Sequence, residues 1–156
     1  MYHYRISKYN PIFRREDGSY WKNEWTDYSC IGSSFDGAVL SRAEYLSTED
    51  KYTSCISDIM SRAGVEKLRI KDLEKGDTKI WKNGRYLCGD RLKCMCRSCL
   101  RSQCWCRLIG KKFYLHFGYE FYIYIGCTLC PEIVSLICEQ RGLFCDIIKE
   151  SPYSRS

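Results

Sequence analysis

The chain has 156 residues, a formal charge of +6 and 45% apolar side chains, which suits one domain over residues 1–156 with a substantial core. No apolar run approaches the roughly 20 residues that cross a bilayer. Three Pro and eleven Gly exclude a collagen-like or low-complexity chain.

Residues 2–9 alternate and are rich in Tyr and Ile, so a strand is expected there, ended by Asn10-Pro11. A turn signal at residues 16–19 precedes a second expected strand over 25–31. Ser41 and Glu44 form a capping box, in which hydroxyl and carboxylate satisfy free amides at a helix start. The spacing predicts a helix from there to Ala63, stopped by Gly64. Its buried stripe is Tyr45, Tyr52, Cys55, Ile56, Ile59, Met60 and Ala63, at period 3.6.

A short strand follows over 65–73, then a polar loop over 74–86 with turn signals at Gly76-Asp77 and Asn83-Gly84, anchored by Ile80-Trp81. A second helix is expected over 89–102. Strands follow over 104–109, 112–117 and 119–125, the last with Tyr119, Phe121, Ile123 and Ile125 on one face. Pro131 opens a third helix to Gln140, Gly142 follows it, and residues 143–148 close as a strand. The expected fold is α+β: a single, mostly antiparallel sheet with about three helices packed on it.

Charge is uneven along the chain. Residues 67–112 hold 14 basic and 4 acidic side chains, net +10, whereas residues 1–66 (8 basic, 10 acidic) and 113–156 (3 basic, 5 acidic) are each net −2. A basic block of this kind concerns partners, either nucleic acid or an acidic protein surface; a solvated basic face is the alternative. On the second helix Lys93, Arg97 and Arg101 fall at i, i+4 and i+8, a cationic stripe. Leu92, Met95, Cys96, Cys99 and Leu100 lie opposite. No acid occurs between Arg91 and Arg107, so the stripe is not neutralised within its own helix. It could lie on carboxylates or phosphates. Trp21, Trp25 and Trp81 are the aromatic anchor candidates beside it.

The first eight residues hold no apolar core of a signal peptide. A cytoplasmic chain follows as the expectation, with its twelve Cys as thiols or metal ligands rather than disulfides. Cys96-x-x-Cys99 and Cys127-x-x-Cys130 could form a four-thiolate zinc site. Against this, Cys96 and Cys99 fall on the apolar helix face, where a thiol serves as a small hydrophobe. No cofactor is the favoured expectation. Residues 120–149 also have a local thioredoxin-like context, strand then Cys127-Thr-Leu-Cys130-Pro131 then helix, in which a helix N-terminus lowers the first thiol's pKa. Cys127 would be the nucleophile and Cys130 the resolving thiol. The further strands and cis-proline of such folds have little room after it. His116 lies in a strand near Glu120, with no third partner for acid–base work. No P-loop, dinucleotide glycine pattern or G-x-S-x-G occurs.

Several segments carry a family likeness: Tyr4-Arg-Ile-Ser-Lys-Tyr-Asn-Pro11, Glu24-Trp25-Thr26, the run from Phe113 to Gly126, Gly142-Leu-Phe, and Ser151-Pro-Tyr153. They resemble a group of small bacterial proteins similar in size and make-up to the immunity proteins that neutralise toxins. The motifs are aromatic strand patterns without chemistry of their own, so the resemblance assigns no functional residues. It implies a non-enzymatic binding protein of the inhibitor or immunity type, and the basic, aromatic surface makes an acidic protein its expected partner. The alternatives are a nucleic-acid-binding protein using the cationic helix and a thiol–disulfide oxidoreductase. No membrane association is expected.

Overall fold

The computed structural model describes residues 1–75 and 78–154. The turn expected at Gly76-Asp77 lies outside them. Among the described residues nine strands and three α-helices run in the order β1 (Tyr2–Ser7), β2 (Ser34–Phe35), β3 (Ala38–Val39), α1 (Arg42–Ala63), β4 (Leu68–Glu74), β5 (Tyr86–Leu87), α2 (Gly89–Leu100), β6 (Trp105–Gly110), β7 (Phe113–Phe117), β8 (Ile123–Cys127), α3 (Pro131–Gln140) and β9 (Phe144–Ile148). The fold is α+β. Seven strands form one sheet in the order β5-β4-β6-β7-β8-β1-β9, and β2–β3 is a separate hairpin. Every neighbouring pair is antiparallel.

The sheet sorts its side chains by period 2. Tyr4, Ile125, Leu115, Leu108 and Ile70 stand in register across five strands, and all are at most 1% exposed. They join the buried stripes of the helices in one core. The next row holds Arg5, Tyr124, His116, Arg107 and Lys71, on the opposite face. The C-terminal segment straps that face. Ser151 Oγ is 2.8 Å from His116 Nδ1, and the Tyr153 ring packs 5.7 Å from both Trp105 and Tyr124.

Local chemistry sets the ends of α1. Ser41 Oγ accepts a 3.1 Å hydrogen bond from Glu44 N, and Gly64 closes the helix at φ 72°, a conformation glycine takes without steric cost. The expected stripe is buried as far as Met60, and Glu49 and Thr53 are buried with it. Pro131 and Gln140 bound α3 as expected.

Elsewhere the structure corrects the sequence reading. Residues 25–31 form no strand. Asp27 Oδ1 accepts from Ser29 N at 2.8 Å, capping a 3-10 turn over Tyr28–Cys30. The strand expected over 119–125 begins at Ile123, because Tyr119–Phe121 turn with Glu120 and Phe121 at positive φ. Tyr119 is therefore 85% exposed instead of sharing the buried face. Phe121 points inward, 5.1–5.8 Å from the rings of Trp25, Tyr45 and Tyr52, and Tyr52 Oη donates to its carbonyl at 2.7 Å. His116 meets Ser151, not Glu120. β5 begins at Tyr86, inside the loop expected over 74–86, and the β2–β3 pairing falls in a segment for which no element was expected.

Candidate partner-binding surface

The cationic stripe of α2 is where the periodicity placed it, and α1 reaches over to meet it. Glu49, 1% exposed in its side chain, accepts from Arg101 Nε and from a terminal Arg101 nitrogen, each at 2.8 Å. Tyr45 Oη donates to the same carboxylate at 2.7 Å, and Arg97 Nε approaches it at 3.5 Å. Arg97 also reaches Asp50 at 3.5 Å. The Glu49 hydrogen bonds hold the Arg101 guanidinium well above its ordinary range. Burial, then the Glu49 contact, pushes the Tyr45 hydroxyl up. Two of the three stripe residues thus satisfy a buried carboxylate on another helix. Lys93 has no carboxylate partner among the described residues and lines a cleft between α1 and α2.

The tryptophans divide. Trp25 is 7% exposed and packs 5.4 Å from Tyr45, so its ring belongs to the core. Trp81 is 9% exposed and forms the floor of a shallow groove of about 510 Å³ with Ile80, Arg91, Cys94, Arg97 and Arg101. The Arg91 guanidinium stands 5.8 Å from its ring centre. Trp21 is 55% exposed, with its edge against Phe13. The structure therefore brings Trp81, Arg97 and Arg101 to one groove. Trp21 and Trp25 belong to the segment between β1 and β2.

A second surface draws on the basic block more fully. A cleft of about 700 Å³ opens where the residues after α1, the start of β4, β5 and the β6–β7 turn converge. Lys67, Arg69, Lys111 and Lys112 line it, with Glu66 as its acid and Tyr86 beside them. All four cations are exposed, and none makes an ion pair among the described residues. Tyr86 is 54% exposed, with the Lys67 ammonium 4.7 Å from its ring centre. The geometry is set by a tight hairpin. Gly110 pairs with Phe113, so Lys111 and Lys112 form the two-residue loop. Lys112 adopts φ 52°, a region that lysine occupies at a cost. The turn packs closely on β4: a side chain at Gly110 would meet Leu68 at 2.9 Å. The sequence signal for this cleft is the net charge of 67–112 itself; its four cations lie on two segments apart in sequence, so no periodicity marks them.

The cysteines separate into several settings. Cys96 and Cys99 lie on the inner face of α2, Cys127 ends β8 and Cys130 precedes α3. Among the described residues, no group of three or more His, Cys, Asp or Glu is arranged to hold a metal ion. Cys127 is fully buried, and burial pushes its thiol up, opposite to what a nucleophilic thiolate needs. No cis peptide bond occurs among the described residues, and no helix among them is long and apolar enough to cross a membrane. Comparison with protein-family models, curated proteins and solved structures returns no match.

Proposed function

We propose that the chain is a non-enzymatic binding protein of the inhibitor or immunity type, which engages an acidic partner protein through the basic cleft around Arg69 and Tyr86. The observation that carries this reading is the set of four exposed cations, Lys67, Arg69, Lys111 and Lys112, without ion-pair partners among the described residues and around one cleft. Unpaired charges of one sign steer an oppositely charged protein and speed its encounter. Arg69 can form a two-pronged contact with a carboxylate, and Tyr86 offers a rigid aromatic face of the kind that anchors interfaces. The groove at Trp81 extends the same chemistry with Arg91 over an indole. A nucleic-acid reading draws on the same cations. It has less support because Arg97 and Arg101, which would lie along a phosphate backbone, are directed at Glu49.

Capture from a lysate of the native host tests the proposal. The wild-type chain is expected to retain an acidic protein that salt elutes, and Lys67→Glu with Arg69→Glu is expected to lose it. Arg97→Gln should weaken capture less. Retention of nucleic acid alone, with a log–log salt slope near −0.9 per phosphate contacted, would favour the second reading. Capture unchanged by the double reversal would overturn the assignment of the cleft.

A further inference from the structure

Beneath α2 lies a concentration of sulfur that the binding surface does not use. Met95 and Cys99 project from the inner face of the helix, and Cys104 and Cys106 come from the turn after it and from β6. Cys99 Sγ is 3.8 Å from Met95 Sδ, 3.7 Å from Cys104 Sγ and 4.0 Å from Cys106 Sγ, and Cys104 Sγ is 3.5 Å from Met95 Sδ. Met95, Cys99 and Cys104 thus form a near-equilateral sulfur triangle. A point equidistant from its corners lies about 2.1 Å from each, by the geometry of those three sides. A metal–thiolate bond is about 2.3 Å, so a slight opening of the triangle would seat an ion in its plane.

We propose that Met95, Cys99 and Cys104 form a trigonal binding site for a soft monovalent ion, Cu(I). The donor set decides the ion. Thiolate and thioether are soft ligands that select Cu(I), while structural zinc takes four thiolate or imidazole donors in a closed tetrahedron. A thioether at one corner fits the first and not the second. The site is buried: Met95, Cys99 and Cys104 are 0%, 7% and 3% exposed. Cys99 also lines a surface pocket of about 330 Å³ beside Ser102 and Phe117, which gives the ion a route in. Binding exchanges two thiol protons for one Cu(I). The Cys99 and Cys104 S–H bonds break, two Cu–S bonds form, the Met95 thioether donates a lone pair, and both protons leave to solvent.

The test uses the full chain carrying Cys88→Ser and Cys94→Ser, which removes the two exposed thiols. It is loaded anaerobically with Cu(I) alone, in competition with a bicinchoninate chelator. One copper per chain is expected, with two protons lost in the native mass and three sulfur neighbours in the copper X-ray absorption spectrum. Cys104→Ser should lower affinity by at least the roughly 10–100-fold that loss of even an outer-shell partner costs. Met95→Leu should lower it too, while Cys55→Ala should leave it unchanged. Failure of the folded background protein to retain copper would overturn the site. So would nitrogen or oxygen in the copper shell, Cys99–Cys104 disulfide formation in place of binding, or preference for zinc. If Cys104→Ser does not fold, the absorption spectrum of the background protein decides alone.

Discussion

Glu49 on α1 and Arg101 just past the end of α2 are joined by two hydrogen bonds of 2.8 Å, and with the longer Arg97 contacts to Glu49 and Asp50 they tie the two helices together. Removing one partner leaves the other buried charge uncompensated. Glu49→Ala should cost about 2–3 kcal/mol, toward the low end for a buried pair because the guanidiniums can turn toward water. The paired change Glu49→Leu with Arg101→Leu should recover most of it. Urea unfolding with an unchanged m-value measures both.

His116 makes stability sensitive to acid. Burial, with Arg107 nearby, lowers its pKa from the ordinary 6.5 to about 4, and its Nε2 is buried without a partner among the described residues. Between those two values the unfolded chain binds a proton that the folded chain does not. The contribution is therefore present above pH 6.5 and is lost as pH falls through 4, by up to about 3 kcal/mol. Denaturation midpoints from pH 7.5 to 4 should decline in the wild type. His116→Asn, which can keep a partner for Ser151, should show a flatter profile over that window.

Gly126 is held by close approach. A Cβ there would collide with the Tyr114 ring, because that ring lies across the glycine to reach His3 Nδ1 at 2.7 Å. Gly126→Ala should destabilise by about 1–3 kcal/mol, the usual cost of overpacking. In a Tyr114→Ala background the same change should cost far less. A double-mutant cycle by thermal unfolding reads that coupling.

The two ends of α1 should behave in the opposite way. Ser41→Ala and Gly64→Ala should each cost about 1 kcal/mol, through a lost cap and a side chain forced to φ 72° respectively. The sites lie at opposite ends of a 22-residue helix, so their effects should add within about 0.5 kcal/mol.

Those helix ends were legible because they are local. Ser41 and Gly64 act within four residues of themselves, and so do Pro131 and the periodic stripes of α1 and α2. What went unread depends on partners distant in sequence. Nothing near Arg101 announces that its carboxylate stands 52 residues away. Trp25 sits among aromatics that suit a strand, but Asp27 captures the following amide and diverts the backbone. The strands β2, β3 and β5 have two residues each, too few to show an alternation. The basic block was plain in the residue counts. Its focus at Lys67, Arg69, Lys111 and Lys112 was not, because it needs the β6–β7 turn to fold against the start of β4.

The position of β1 has a consequence for how the protein is made. Tyr2–Ser7 pairs with β8 on one side and β9 on the other, so this strand finds no neighbouring strand until residues 123–127 have been synthesised. At about 5–20 residues per second, Tyr4 and Ile6 wait on the order of ten seconds without the strands that bury them. Long-range pairing of this kind slows folding and exposes apolar strands to other chains. During that interval the nascent chain should be a client for chaperones that hold extended apolar segments.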